Sequence, residues 1–255
     1  MADADPVLLE LRGEIAIVTL NRPEARNALS RPLSARFTEI FAELGRMDQL
    51  KVAILTGNGP SFCAGADLKE LASGVARLQD PDEERGAGHR RFGMAAFPGP
   101  VIAAINGPAM TGGLELALNC DIRIASTLAR FADTHARVGV IPGGRVTALL
   151  PRLIGPSRAK EMSLGARIID AATAERWGLV NRVVEPDQLL PEAIALAEEI
   201  AKADRDHLLA YNRLIDEGFD LAYGAAVDNE HIRSRDANQN FQRGRLDVQA
   251  LTSRR

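Results

Sequence analysis

The chain has 255 residues, enough for one large domain, or one domain with a small appendage, to bury a core without disulfide bonds. Hydrophobic residues make up 46% of the sequence and charged residues 25%, a composition typical of soluble globular proteins. The net charge of −3 argues against a nucleic-acid-binding protein, because that class normally carries a clustered excess of Lys and Arg.

The cysteines and the beginning of the sequence bear on where the protein works. Cys63 and Cys120 are far apart and form no C-x-x-C pair, which favours two buried, reduced thiols. Residues 1–6 are acidic and lack the charged and apolar regions of a signal peptide. No apolar run approaches the roughly 18 residues that span a bilayer. We therefore expect a cytoplasmic protein without a membrane segment.

The first half of the chain alternates between predicted strands and predicted helices. Runs of β-branched and apolar residues predict strands, the first two forming a hairpin, at Val7–Leu11, Ile15–Leu20, Val52–Thr56, Val101–Ile105 and Ile122–Ala125. Helices are predicted after Ser30, near Asp67 and from about Leu114. This alternation predicts an α/β protein with a parallel sheet built from ββα or βαβ units.

The pattern becomes mostly helical after about Gly144, apart from a brief strand near Val180–Val184. We therefore predict an α/β core over residues 1–190 and a helical region over residues 191–255. The polar stretch Ser73–Gly88 contains Pro81 and two late glycines, and it is predicted to be a mobile loop.

Two segments rich in small residues lead into predicted helices, Ser61–Leu68 and Asn106–Leu118. Free N–H groups at a helix start point outward beside the positive end of the helix dipole, and Asp67 can cap the first helix. Two such helix starts could aim one N–H each at a single oxygen, as an oxyanion hole requires. The alternative is that the small residues serve packing alone. Neither segment has the pattern of a phosphate-binding loop.

Glu115 lies in the first turn of the second of these helices, among leucines. One interpretation is that the helix dipole merely favours the carboxylate, by about 0.3–1 kcal/mol. The other is that the apolar surroundings partly desolvate the carboxylate and suit it to acid–base work. The spacing alone leaves both interpretations open.

His135 follows a short apolar run together with Asp133. If this segment is extended, Asp133 and His135 face the same side, although contacts between residues two apart are then long. A lone histidine is more often structural or exposed than functional. No metal site is predicted, because the histidines are scattered and there is no H-E-x-x-H motif. The absence of G-x-S-x-G disfavours a serine hydrolase.

Several motifs occur together along the chain. They are Leu20-Asn21-Arg22-Pro23, Asn27-Ala28-Leu29, Phe62-Cys63-Ala64-Gly65-Ala66-Asp67-Leu68, Gly112-Gly113-Leu114-Glu115-Leu116-Ala117, Cys120-Asp121, Gly139-Val140-Ile141-Pro142-Gly143 and Ala174-Glu175-Arg176-Trp177-Gly178-Leu179-Val180. In their order and spacing, from roughly Val7 to Val184, they closely resemble the enoyl-CoA hydratase/isomerase (crotonase) family. Within that family the sequence is similar to a bacterial group of enoyl-CoA hydratases.

The resemblance implies a crotonase-like spiral of ββα units with a helical C-terminal trimerisation region, assembled as a homotrimer or homohexamer. It implies an acyl-CoA thioester substrate and no cofactor other than the coenzyme A of that substrate. The amides of Ala66 and Gly112 would hold the thioester carbonyl. Ala28, Ala64, Asp67 and Leu68, with Ala66 and Gly112, would line the coenzyme A site. Glu115 falls on the glutamate that positions the water in the hydratases.

One departure from the family affects the expected reaction. His135 occupies the position of the second glutamate of the hydratases, and Thr134 stands where a proline is usual. An imidazole can act as acid or base near neutral pH, so the replacement is chemically feasible, but it could equally mark a changed reaction.

We expect syn hydration of a trans-2-enoyl-CoA to a 3-hydroxyacyl-CoA. The alternatives are double-bond isomerisation, another crotonase-type lyase or hydrolase reaction, and a catalytically weak acyl-CoA-binding or RNA-binding relative. The acidic balance of charge counts against RNA. Candidates for holding the coenzyme A phosphates are the arginines Arg22, Arg26, Arg254 and Arg255.

Overall fold

The computed structural model describes residues 5–73 and 93–238, and they fall into two compact units within residues 1–205 and 206–255. The predicted mobile loop Ser73–Gly88, apart from Ser73, lies outside the described residues, as do Arg254 and Arg255. The predicted division at residue 190 stays a prediction. In the structure the helix that contains that position, Leu189–Ala201, packs on the sheet of the first unit.

The first unit is built on a six-stranded sheet with the strand order β1-β2-β3-β4-β6-β9. Strands β1 and β2 form an antiparallel hairpin, and every later neighbour in this sheet pairs in parallel. The bounds of its strands are β1 (Val7–Arg12), β2 (Ile15–Leu20), β3 (Val52–Gly57), β4 (Val101–Ile105), β6 (Ile122–Ser126) and β9 (Arg182–Val184). Parallel strands that are buried on both faces appear in a sequence as continuous apolar runs, and for this reason they could be predicted.

A second, three-stranded sheet was not predicted from the sequence. It contains β5 (Ala109–Met110), β7 (Arg130–Ala132) and β8 (Ile169–Asp170) in the order β5-β7-β8. Met110 pairs with Ala132, so the residues that follow these two strands lie side by side. These strands are too short to produce a readable alternation of apolar and polar residues.

Helices cover both faces of the main sheet, and the α/β fold class predicted from the sequence is confirmed. The helices of the described residues are α1 (Arg31–Gly45), α2 (Leu68–Ala72), α3 (Gly112–Leu118), α4 (His135–Val138), α5 (Val146–Ile154), α6 (Pro156–Leu164), α7 (Ala171–Trp177), α8 (Leu189–Ala201), α9 (Arg205–Phe219) and α10 (Tyr223–Asn238). None of these helices is long and apolar enough to cross a membrane.

Alternate residues of each strand belong to different cores. On β2, Val18 packs in the core that includes α1, whereas Ile17 packs in the core that includes α8. Ser30 caps α1, as predicted, by accepting a hydrogen bond of 3.4 Å from the amide of Leu33. Helix α8 lays a stripe of small residues, Ala193, Ala197 and Ala201, against the other face. The sheet therefore lies between two helical layers.

Candidate functional site

Three backbone segments meet beside the starts of α2 and α3. The amide of Leu29 donates to the carbonyl of Gly65 (2.7 Å), and the amide of Asp67 donates back to the carbonyl of Leu29 (3.2 Å). The amide of Met110 donates to the carbonyl of Cys63 (2.9 Å). These bonds bring the predicted site residues at positions 28, 64, 66 to 68 and 112 into one region.

Gly65 allows the close approach of the two helix starts. Its φ of +90° disfavours any side chain, and a Cβ there would lie 2.8 Å from the carbonyl oxygen of Met110 and 3.1 Å from the amide nitrogen of Gly112. A Cβ on Gly112 would likewise lie 3.5 Å from the amide nitrogen of Ala66. The two helix starts are therefore in contact through bare backbone.

The amides of Ala66 and Gly112 are the candidate oxyanion donors. Within the described residues, neither N–H donates a hydrogen bond, whereas the neighbouring amides of Ala64, Asp67 and Thr111 all do. Unbonded N–H groups at adjacent helix starts are suited to binding an external oxygen. The predicted juxtaposition is present, and the catalytic role of these amides stays a prediction.

Asp67 is the N-cap of α2 and is tied to Arg22. Its Oδ1 accepts from the amides of Lys69 and Glu70, and its Oδ2 lies 3.1 Å from the Arg22 guanidinium, which also donates to the carbonyl of Ala28. Burial raises the pKa of Asp67, but these hydrogen bonds outweigh burial and hold the pKa below its usual value. Arg22 therefore braces the loops around Ala28 and Asp67.

The other residues predicted to line a ligand site differ in exposure. Leu68 has 71% of its surface exposed, Ala66 is exposed and Ala28 is buried. Arg26 is exposed, and its carbonyl oxygen accepts from the amide of Ala64, so its side chain starts at the edge of this region. Of the described arginines expected to contact phosphate, Arg26 is exposed, whereas the Arg22 guanidinium is bonded to Asp67 and to the carbonyl of Ala28.

Glu115 is a buried carboxylate rather than an exposed residue of the first helical turn. Its Oε1 accepts a hydrogen bond from the amide of Gly144 (2.8 Å), and the amide of Val146 also donates to the carboxylate. Burial raises the pKa of Glu115, and the attraction of His135 and these amide bonds offset only part of that rise. The structure thus supports the interpretation of a desolvated carboxylate.

His135 is held between two carboxylates. Its Nδ1 lies 2.6 Å from Oδ1 of Asp133, and its Nε2 lies 3.7 Å from Oε2 of Glu115. The amide of His135 also donates to Oδ1 of Asp133 (3.1 Å). Only 12% of the His135 side chain is exposed, and Asp133 and Glu115 are buried. The three side chains form one continuous chain of acid–base groups.

The segment through His135 is not extended, so the geometry considered for that case does not apply. Strand β7 ends at Ala132, and α4 begins at His135. An aspartate that accepts the amide hydrogen two residues later forms a turn, and this turn folds the imidazole back onto Asp133. The contact between Asp133 and His135 is therefore short, whereas the extended geometry predicted a long one.

The pKa values of His135 and Asp133 shift in opposite directions. Burial lowers the pKa of His135, but the hydrogen bond to Asp133 and the charges of Glu115 and Asp133 outweigh it, so this pKa lies above its ordinary value. Burial raises the pKa of Asp133, yet hydrogen bonds from His135 and Ser163 hold it below the usual value. Asp133 is thus an ionised anchor, and His135 carries a proton over more of the neutral range.

Sequence reasoning missed the residues that hold Glu115 in place. Asn119 donates from Nδ2 to the carbonyls of Glu115 (2.7 Å) and Gly144 (3.0 Å), which joins α3 to the loop before α5. The only sequence signal was the glycine pair Gly143-Gly144, whose meaning depends on a contact with a distant residue. Among the described residues, no group of three or more His, Cys, Asp or Glu side chains could hold a metal ion.

The fold and the site together define an α/β enzyme in which two unbonded backbone amides adjoin a buried carboxylate–imidazole pair. Residues 10–246 match the family model described as enoyl-CoA hydratase/isomerase, and the chain belongs to that family. It is 44% identical over 204 residues to an (E)-benzylidenesuccinyl-CoA hydratase of Thauera aromatica, covering 78% of this chain and 77% of that protein. It is 37% identical over 223 residues to a probable peroxisomal enoyl-CoA hydratase of Arabidopsis thaliana, covering 87% and 82%.

Solved structures show the same fold. The enoyl-CoA hydratase of Bacillus anthracis matches with a TM-score of 0.84 and 34% identity, covering 98% of this chain and 97% of that one. The predicted crotonase-like fold and the resemblance to this family are confirmed.

Proposed function

We propose that this protein is an enoyl-CoA hydratase that adds water across the 2,3 double bond of a trans-2-enoyl-CoA. The observation that carries the proposal is the pair formed by Glu115 and His135, with Oε2 and Nε2 3.7 Å apart. The unbonded amides of Ala66 and Gly112 supply the second requirement, a site for the thioester oxygen. Membership of the hydratase/isomerase family supports the same reaction.

In the proposed mechanism, the thioester carbonyl accepts hydrogen bonds from the amides of Ala66 and Gly112. These donors draw electron density from C3 through the conjugated double bond, so C3 becomes open to attack by water. The same bonds strengthen as negative charge develops on the oxygen in the enolate. Polarisation by the backbone meets the electronic demand of the reaction, and we propose that no cofactor beyond coenzyme A takes part.

Two side chains move the protons of the added water. The ionised carboxylate of Glu115 takes one proton while the water oxygen bonds to C3, and the C2–C3 π electrons move toward the thioester. The imidazolium of His135 then gives its Nε2 proton to C2 of the enolate. Transfer of the proton on Glu115 to His135 regenerates both groups, so one water is consumed in each cycle.

Asp133 would determine which nitrogen of His135 reacts. An ionised carboxylate 2.6 Å from Nδ1 accepts a hydrogen bond, which places a proton on Nδ1 in both charge states of the ring. Nε2 then carries the exchangeable proton and faces Glu115. We propose Asp133 as a positioning residue that acts through His135.

Hydration of crotonyl-CoA by the purified protein tests the proposal, followed by loss of the enoyl thioester absorbance. We expect Glu115→Gln to lower kcat by about 10²–10⁴, the usual contribution of a general base, with little change in affinity for coenzyme A thioesters. Arg36→Gln, on the exposed side of α1, is a control that should retain normal turnover. Near-normal turnover of Glu115→Gln would leave Glu115 with a structural role only.

Isomerisation is the second candidate, because one carboxylate next to one imidazole can also carry a proton between C2 and C4. A 3-enoyl-CoA substrate distinguishes it, since an isomerase converts that substrate without taking up water. Binding of acetoacetyl-CoA without turnover of either substrate would favour the catalytically weak acyl-CoA-binding relative. Product analysis for free coenzyme A would reveal a hydrolase.

We propose that the coenzyme A part of the substrate lies along Ala28, Ala64, Asp67 and Leu68, with Arg26 as the phosphate partner. Within the described residues the Ala66 amide donates no hydrogen bond, and the Arg26 side chain is exposed. Both observations support this path.

We also propose a homotrimer or homohexamer, because α9 exposes Tyr211, Ile215 and Phe219 at a spacing that forms one helix face. Cys63 and Cys120 are buried thiols, which is consistent with the proposed cytoplasmic location, where cysteines are kept reduced.

A further inference from the structure

Thr111 has an unusual backbone conformation immediately before the candidate oxyanion amide. Its φ of 52° and ψ of −107° lie outside the regions that β-branched residues normally adopt. Such strain persists only where surrounding contacts enforce it, and it is concentrated at functional positions. Thr111 joins β5 to α3, and the next residue is Gly112.

This conformation determines where the Gly112 N–H points. The carbonyl oxygen of Thr111 accepts a hydrogen bond from the amide of Glu115 (2.9 Å), so the carbonyl points along α3. In a trans peptide the N–H points opposite to the carbonyl. The Gly112 N–H therefore points out of the start of α3, away from the helix, and its direction follows from the ψ angle of Thr111.

Three contacts hold Thr111 against the segment that leads to His135. Its amide donates to the carbonyl of Ala132 (2.8 Å), and its Oγ1 accepts from the amide of Thr134 (3.3 Å). The hydroxyl oxygens of Thr111 and Thr134 are 2.6 Å apart and share a hydrogen bond. We call this hydroxyl pair the threonine bridge. It joins the residue before the Gly112 amide to the residue before the His135 imidazole.

We propose that the threonine bridge is a positioning device that sets the Gly112 N–H relative to the His135 ring. The proposal rests on the proposed function, in which these groups bind the thioester oxygen and protonate C2. Oxygen and C2 are separated by two covalent bonds, so their protein partners must keep a matching separation. A displacement of 1 Å between catalytic partners can cost about 10² in rate. Neither threonine takes part in bond making.

Replacement of one hydroxyl tests the bridge. We expect Thr134→Val to lower kcat for crotonyl-CoA by about 10–10², with KM within about twofold, because misplacement affects chemistry more than coenzyme A binding. Thr134→Ser keeps the hydroxyl and should recover most of the lost kcat. The absorption of bound cinnamoyl-CoA, which shifts to the red when its carbonyl is polarised, should shift less in Thr134→Val than in the parent.

Thr56→Val is the matched control. Thr56 is partly buried, and its hydroxyl donates to the carbonyl of Ala104 (2.8 Å), so this variant loses a comparable hydrogen bond elsewhere in the core. It should lose thermal stability but keep the parental kcat and red shift. The double variant Thr111→Val with Thr134→Val should lose less activity than the product of the single losses, since both single variants break the same bridge.

The proposal is overturned if Thr134→Val keeps the parental kcat and red shift, or if Thr134→Ser is as impaired as Thr134→Val. If Thr134→Val does not fold, Thr134→Ala takes its place with the same expected outcomes. Failure of the proposed function is a separate result: the parent would not hydrate crotonyl-CoA. The red shift of bound cinnamoyl-CoA would still report whether the bridge directs the Gly112 amide.

Discussion

The imidazole of His135 lies between two carboxylates that have different protonation behaviour. Asp133 keeps a depressed pKa because His135 and Ser163 bond to it, whereas burial raises the pKa of Glu115. These different environments suit Asp133 to orient the imidazole and Glu115 to act as a base. Other sites that contain two carboxylates divide the roles in the same way. The sequence identified Glu115 and His135 as candidates, but their separation depends on tertiary packing that no spacing encodes.

The pH dependence of hydration should reflect this arrangement. The proposed proton donor is the imidazolium, so activity should fall as pH rises through the raised pKa of His135. It should fall at acid pH as Glu115 becomes protonated. His135→Ala should lower kcat and remove the alkaline limb, and His135→Glu should restore hydration of crotonyl-CoA.

Parental rates and an unchanged pH profile in His135→Ala would contradict the donor role. The ring would then be structural, and isomerisation or a different acyl-CoA reaction would be the better interpretation. Steady-state rates in buffers of constant ionic strength are suitable for this comparison, because the charges of the pair are partly screened by salt.

Asp133→Asn tests the positioning role of Asp133 separately from the proton-donor role of His135. Loss of the carboxylate removes the main contributions that raise the pKa of His135, so burial dominates and that pKa falls. The alkaline limb of the activity profile should therefore move to lower pH, while the KM for crotonyl-CoA stays nearly constant. A limb that stays in place would show that Asp133 does not tune the ring.

The structural elements differ in how far the sequence could predict them. The buried strands β2, β3 and β4 and the cap of α1 follow from apolar runs and from Ser30, which are local signals. Strands β5 and β7 contain two and three residues, so only contacts between distant segments define them. These two strands carry the residues that lead to Gly112 and His135, so the site was the least predictable region.

At the scale of the structural elements, alanine substitutions at two glycines separate the effect of backbone strain from that of a steric clash. Gly65→Ala should destabilise the fold by more than about 1 kcal/mol, because its φ of +90° is unsuited to alanine and its Cβ would meet Met110 and Gly112. It should also lower kcat by moving the two helix starts apart. Thermal unfolding and crotonyl-CoA hydration measure the two effects.

Gly13→Ala is the control for that experiment. Gly13 has a φ of +58° in the turn between β1 and β2, but a Cβ there would meet nothing within 4 Å. Gly13→Ala should therefore lower the free energy of unfolding through backbone strain and leave kcat unchanged. Equal loss of kcat in both variants would show that the contact between the helix starts has no role in activity.

At the scale of the whole molecule, the two units present different surfaces. The first unit has two apolar cores on either side of one sheet, although some of its large apolar side chains, such as Leu68 and Ile141, are exposed. In the part of the second unit that the structure describes, both helices expose large apolar side chains, including Tyr211, Ile215, Tyr223 and Ile232. Exposed apolar residues aligned on one face are typical of an interaction surface. The sequence indicated a helical region here, and the structure adds which of its apolar side chains are exposed.

We expect Ile215→Glu to convert the assembled protein to a smaller species, because a charge in the centre of an apolar interface is desolvated without a partner. Light scattering after size-exclusion chromatography gives the mass of the parent and the variant. Arg213→Ala, on an exposed ion pair with Glu217, is the control and should keep the parental mass. A monomeric parent would contradict the proposed oligomer.

The distance of 3.7 Å between Glu115 and His135 also constrains the stereochemistry of addition. A planar enoyl group lying between two reacting atoms would need them about 7 Å apart, twice a non-bonded carbon contact of about 3.5 Å. The two groups must therefore approach the double bond from one face. Hydroxyl at C3 and solvent deuterium at C2 would enter on that same face, and the product formed in heavy water would have a single relative configuration.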